Sequence, residues 1–193
     1  MSIMKYYDEL SQFVKRIAVK DKAGKAIDFS EAVEKVIELI LRQHTKGNKL
    51  IFIGNGGSSA IASHMAIDYW KNGAIKATAF NDAALLTCVS NDYGYEHVFE
   101  KPIEMFADAG DILIAISSSG KSQNILNGAA AATKKDCHVV TLSGFSADNP
   151  LSGMGEINFY VPSKAYSQVE IIHDTIGHYM LDMIMADKKA GAK

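Results

Sequence analysis

Two loops and two helical stretches hold the residue types that do chemistry. The first loop, Gly54-Asn55-Gly56-Gly57-Ser58-Ser59, follows an apolar run and opens a helix-like segment. Glycines let a backbone approach a ligand closely, and a helix start offers free N–H donors with partial positive charge. As a dinucleotide fingerprint the loop is incomplete, because GxGxxG requires glycine where Ser59 stands. The second loop, Ser117-Ser118-Ser119-Gly120-Lys121-Ser122, ends like a P-loop, but that motif needs glycine where Ala115 stands. What remains is Ser117, Ser118, Ser119 and Ser122 with a run of backbone N–H groups around one helix start. Such donors suit a phosphate monoester, which offers several acceptor oxygens and no base to read. A serine-rich loop that only caps a helix has the same composition, and two such loops in one chain weigh against that reading.

The ionisable residues fall on two helices. His64 and Asp68 are spaced i, i+4 and share a face. Glu170, His173, Asp174 and His178 form a polar strip at i, i+3, i+4 and i+8, opposite the apolar Val169, Ile172, Ile176, Met180 and Met183. The apolar strip must be core or interface. Each polar pattern alone also describes a solvated surface. Together, carboxylates and imidazoles from two helices match a catalytic zinc site, which takes N and O ligands and keeps a position open.

Short apolar runs at Leu50–Ile53, Ala77–Phe80, Ile112–Ile116, His138–Leu142 and Ile157–Val161 supply the framework. They are too short for free helices and apolar on both faces, as buried parallel strands are. Helix-like segments lie near Ser58–Trp70, Ala83–Ser90, His97–Phe106, Ser122–Lys134 and Ala165–Met185. Residues 1–48 read as helical throughout. Within them Asp28 and Glu31 have capping-box spacing, ahead of a stripe at Phe29, Val33, Val36, Ile37, Ile40 and Leu41. The expected fold is α/β: a doubly wound, flavodoxin- or Rossmann-like, five-stranded parallel sheet with flanking helices and an N-terminal helical extension. Ligands in such sheets bind past the carboxyl ends of strands, where strand order reverses. The two loops follow the first and third expected strands.

Composition narrows the function classes. The chain has 193 residues, 48% hydrophobic and 22% charged, which suffices for a full core and excludes disorder. Lys and Arg total 20 against 22 Asp and Glu, whereas proteins that grip a nucleic-acid backbone carry a basic excess. No apolar stretch approaches the roughly 20 residues that span a bilayer, so neither nucleic acid nor membrane is an expected partner. The first residues hold no apolar signal core, and Cys88 and Cys137 stand apart from any Cys/His cluster. They read as buried free thiols in a reducing, cytoplasmic setting. Without a linker or repeat, residues 1–193 are expected to form one domain, with 1–48 serving oligomerisation and 49–193 forming the core.

Read together, these segments resemble the sugar isomerase (SIS) family, in its phosphoheptose isomerase branch. The resemblance is carried by Gly54–Ser58 with His64 and Asp68, by Ser90–Tyr95 with Val98-Phe99, by Ile116–Ser122, and by Val161-Pro162-Ser163 followed by Glu170, His173 and His178. It implies a ketose–aldose isomerase that converts sedoheptulose 7-phosphate to D-glycero-D-manno-heptose 7-phosphate for surface-heptose, lipopolysaccharide or capsule synthesis. By position, it implies that Ser117, Ser118, Ser119 and Ser122 hold the phosphate, and that Asn55, Gly56, Gly57, Asn91 and Asp92 line the sugar. His64, Asp68, Glu170 and His178 would ligate one zinc per subunit, with Asp68, Glu170 and His178 nearest the proton transfer. A homotetramer is also implied. The branch usually has Glu at Asp68 and Gln at Glu170, and commonly Arg at Asn72 and Gln168. These exchanges leave a related sugar phosphate as an alternative substrate, and either Asp68 or Glu170 as the base. The other class to weigh is a non-catalytic SIS protein that binds a replication-initiator or other protein partner; such sequences lack the carboxylate and terminal histidine kept here.

Overall fold

The computed structural model describes residues 2–191, so the ends of the expected 1–193 domain lie outside the described residues. Helix α1 (Ile3–Val14) is capped by Ser2, and α2 (Phe29–Thr45) by Asp28, whose carboxylate accepts from the N–H groups of Ser30 and Glu31. The helical stripe of α2 is in place: Val33, Val36, Ile37 and Ile40 are buried.

The reading of residues 1–48 as wholly helical is corrected between these helices. A hairpin forms there, β1 (Ala18–Asp21) and β2 (Ala26–Ile27). Its turn is local chemistry: Asp21 Oδ1 accepts from Ala23 N at 3.0 Å and Lys25 N at 2.9 Å, and Gly24 turns with φ of 81°. Its strands are too short to stand alone. β1 persists because it pairs antiparallel with β7 (Ile157–Tyr160) at the edge of the main sheet.

The five expected strands all form, as β3 (Leu50–Gly54), β4 (Ala77–Ala79), β5 (Ile112–Ser117), β6 (His138–Ser143) and β7. They pair in parallel, so with the hairpin the sheet has 7 strands, in the order β2-β1-β7-β6-β5-β3-β4. Side chains alternate between faces as the pleat requires. Leu50, Phe52, Ile112, Ile114 and Ile116 point to a core covered by α2, α3 (Gly57–Lys71) and α7 (Tyr166–Gly191). Ile51, Ile53, Leu113 and Ala115 point to a core on the other face, which includes residues of α5 (Glu100–Phe106) and α6 (Gln123–Lys134). Helix α4 (Ala83–Tyr93) packs partly against that face and carries Cys88 exposed, which corrects the reading of both thiols as buried; Cys137 is buried. No described helix is long and apolar enough to cross a membrane.

Strand order reverses at β3, which has β4 on one side and β5 on the other. The ends of β3 and β5 lie side by side, with Gly54 opposite Ile116. Both loops singled out in the sequence therefore emerge together at the switch point.

Candidate active site

A cavity of about 320 Å³ opens at that point, lined by Asn55, Gly56, Gly57, Ser58, Ile116, Ser117, Ser118, Ser119, Ser122, Tyr166 and Glu170. The chain turns into α3 at Gly56, whose φ of 55° and ψ of −122° form a conformation that glycine adopts freely and a β-carbon resists. Neither α3 nor α6, the two helices that start at the cavity, has a side-chain cap. Helices α1, α2 and α4 are capped by Ser2, Asp28 and Asp82, while the short α5, which does not line the cavity, is uncapped as well. The first-turn N–H groups at the switch point thus keep their partial positive charge for an anion.

The serine loop is organised by its own backbone. Gly120 N donates to Ser117 Oγ at 3.1 Å and Lys121 N donates to Ser119 Oγ at 3.3 Å. Ser118 Oγ is buried with no hydrogen-bond partner among the described residues. A buried hydroxyl without a partner is costly, and an acceptor oxygen in the cavity relieves that cost. Asn55 is fixed by a reciprocal amide pair with buried Asn124, both bonds 2.8 Å, and accepts from Tyr95 Oη at 3.1 Å. Asn91 and Asp92 are exposed in the last turn of α4, bonded to each other at 2.9 Å, and do not line the cavity.

Among the described residues Glu170 is the only charged side chain on the cavity wall. Its carboxylate lies against Gly57 so closely that a β-carbon there would meet Glu170 Oε1 at 2.6 Å. A carboxylate at the first turn of α3 also has favourable electrostatics. Glu170 lines a second, adjoining cavity of about 270 Å³ as well, with His64 and Asp174.

Helices α3 and α7 pack against each other on one face of the sheet, and Tyr69 Oη of α3 donates to Gly177 O of α7 at 3.3 Å. This contact brings the two ionisable patterns together. Asp68 Oδ2 stands 3.4 Å from His64 Nε2 and 3.9 Å from His178 Nδ1. Asp174 stands 4.0 Å from His64 Nδ1 and 3.7 Å from His178 Nε2. The two rings meet edge to face, 5.0 Å between centroids. Two imidazoles and two carboxylates form a donor set that fits a borderline cation such as zinc. His64, Asp174 and His178 can each offer an atom within 4.8 Å of the others; Glu170 is not in that group.

Three features of this region escaped the sequence reading. Asp174 gains no role from the sequence pattern, although it lies i+4 from Glu170 and i−4 from His178. Tyr166 and Asn124 reach the site only through tertiary packing, and no spacing marks them. His173 does not share the polar strip: it is buried, and its Nε2–H donates to Ser143 O at 3.1 Å. Burial drives its pKa down to about 4, so it is neutral. The apolar strip is buried at Val169, Ile172, Ile176 and Met180, whereas Met183 is exposed.

The SIS domain family model matches residues 5–144 of the chain. The phosphoheptose isomerase of Helicobacter hepaticus is 32% identical over 171 residues, covering 86% of this chain and 87% of its own. Solved phosphoheptose isomerase structures superpose over 95% of this chain. That of Neisseria gonorrhoeae has TM-score 0.83, 28% identity and 97% of its own chain covered. That of Francisella tularensis has TM-score 0.81, 26% identity and 98% of its own chain covered. The chain belongs to the SIS domain family, in the branch of the phosphoheptose isomerases.

Proposed function

We propose that the protein is a cytoplasmic ketose–aldose isomerase that interconverts sedoheptulose 7-phosphate and D-glycero-D-manno-heptose 7-phosphate. The observation that carries this reading is a pair of uncapped helix N-termini and a serine loop at the switch point, with one carboxylate beside them. Ser117, Ser118, Ser119, Ser122 and the N–H groups of α6 take the phosphate. Asn55, Gly56 and Gly57 take the sugar chain. Asn91 and Asp92 lie outside the cavity of the single chain and are given no part in it, while Tyr95, just beyond α4, bonds to Asn55.

Isomerisation moves a proton between C1 and C2 through an enediolate, which needs a base, a donor for the oxygens and positive charge near the developing oxyanion. Glu170 is assigned as the base, because its carboxylate lies between the phosphate cavity and the histidine cavity. It takes the proton from one carbon and returns it to the next. Asp68 and His178 belong to the histidine cluster that adjoins the second cavity through His64. Phosphate binding far from the reacting carbons supplies positioning energy. One zinc per subunit, held at the His64 and His178 pair, supplies the positive charge when bound. The working assembly is a homotetramer, supported by apolar helix faces that the single chain leaves uncovered.

The test is direct. Incubation with sedoheptulose 7-phosphate, followed by proton NMR, should reveal the anomeric signal of an aldose heptose phosphate. Glu170→Gln should slow kcat by about 10²–10⁴, the usual contribution of a positioned base. No aldose from the parent overturns the isomerase reading, and an unchanged kcat in the variant moves the base to Asp68.

A further inference from the structure

The α3–α7 cluster offers a cation more carboxylates than it needs, and their surroundings differ. Each imidazole presents one nitrogen to Asp68 and the other to Asp174: His64 through Nε2 and Nδ1, His178 through Nδ1 and Nε2. Both rings are thus held between the two carboxylates. A histidine that binds a metal through one nitrogen characteristically donates its other N–H to a carboxylate, which fixes the tautomer and ring orientation. The arrangement therefore has one carboxylate on the metal side of both rings and one on the far side.

Two observations say which is which. Asp68 Oδ1 already accepts from Asn72 Nδ2 at 3.3 Å, whereas Asp174 Oδ1 is buried without a hydrogen-bond partner among the described residues. Leaving a carboxylate oxygen buried and unbonded is costly, and a cation removes that cost. Further, His64, Asp174 and His178 bring ligand atoms within 4.8 Å of one another. Ligands around a tetrahedral zinc at ordinary bond lengths are about 3.3 Å apart, so modest rotamer adjustments close the set. Glu170, one turn earlier on α7, is occupied elsewhere, against Gly57 at the start of α3.

We infer that Asp174 is a metal ligand with His64 Nδ1 and His178 Nε2, that Asp68 accepts from the opposite ring nitrogens and holds both imidazoles in place, and that Glu170 is left free of the metal. Two imidazoles and one carboxylate leave a coordination position open. The inference rests on reading the α3–α7 histidines as a metal centre, and not on which sugar is turned over. It also accounts for an ionisable residue at position 170 in this chain. With the ligand role met by Asp174, a glutamate there can serve the substrate.

The experiment reads metal binding directly. Full-length protein is stripped by a chelator, then titrated with zinc against a chromophoric competitor and with cobalt by its visible absorption. The parent should bind one ion per chain. Asp174→Asn should weaken binding by more than about 100-fold, beyond the 10–100-fold that loss of an outer partner causes and that Asp68→Asn should show. Glu170→Gln should stay within about threefold of the parent, since it removes neither a ligand nor an outer partner. Asp174→Cys, loaded with cobalt, should gain a thiolate-to-metal charge-transfer band that the parent and Glu170→Cys lack; this positive signal does not depend on Asp174→Asn folding well. Parent affinity retained in Asp174→Asn, the charge-transfer band in Glu170→Cys instead, or no metal uptake by the parent would each overturn the assignment. Turnover of sedoheptulose 7-phosphate by the same loaded parent is followed in parallel. A parent that isomerises the sugar but binds metal without Asp174 refutes this inference alone.

Discussion

Neighbouring residues on α7 meet opposite environments. Asp174 and His178 face α3 at the edge of the site, while His173 is sealed beneath the helix on Ser143 O. Its pKa lies near 4 in the folded protein because burial penalises the imidazolium, against about 6.5 for a free histidine. Between those values the unfolded chain binds the extra proton and the folded one does not. Stability from this group is therefore fully present above pH 6.5 and is lost as pH falls toward 4. Urea unfolding with chelator present should show the parent losing about 2–3 kcal/mol more than His173→Gln between pH 7 and 4.5. Parallel pH profiles for the two proteins would show that His173 does not titrate in this way.

At the scale of elements, α3 is the part on which both halves of the site depend. Its uncapped start lies at the serine-lined cavity, and its next turns carry His64 and Asp68 toward α7. Gly57 links the two, because the carboxylate of Glu170 occupies the space a β-carbon would fill. Gly57→Ala keeps an ordinary helical backbone, and the group in its way is the flexible end of a side chain. The expected result is a Tm within a few degrees of the parent and a kcat lower by about 10², the cost of a small misplacement of a reacting group. A fall in Tm with kcat retained would show that Gly57 serves packing and not the base. The Asp28 cap of α2 and its apolar stripe were readable in the sequence, since they involve residues close together in the chain, although Glu31 pairs with Lys35 and does not close the capping box. The hairpin of β1 and β2 was not, since its stability comes from β7, more than 130 residues away in the chain.

On the scale of the whole molecule, the apolar residues that remain outside the core are grouped on helices. Helix α1 buries none of its residues within the single chain, with Met4 66% and Tyr7 57% exposed. Trp70 on α3 and Tyr179 on α7 are also exposed, at 54% and 43%. Helices with such faces are suited to cover one another in a closed, symmetric assembly. Light scattering at micromolar concentration should return four chains per particle, and Met4→Glu with Tyr7→Glu should dissociate it. A parent that scatters as a monomer would refute the assembly.

The layered α/β class, the five parallel strands and the two loops at the switch point were all legible in the amino-acid pattern. Each of these follows from local rules: two-faced apolar runs must be buried, and glycine or serine clusters must end them. Residue type and helical spacing, which are local properties, also marked the pair His64 and Asp68 and the strip Glu170, His173, Asp174 and His178 as candidates for one chemical set, from which the family resemblance selected His64, Asp68, Glu170 and His178. How that set divides follows from packing between elements. Spacing along α7 gives Glu170, His173, Asp174 and His178 similar claims to one face. The packing of α3 and the sheet against that helix then buries His173, points Asp174 and His178 at the His64 ring, and lays Glu170 over Gly57. Which carboxylate faces the histidine pair and which faces the serine-lined cavity depends on contacts between elements distant in the chain, and no periodicity within one helix encodes them.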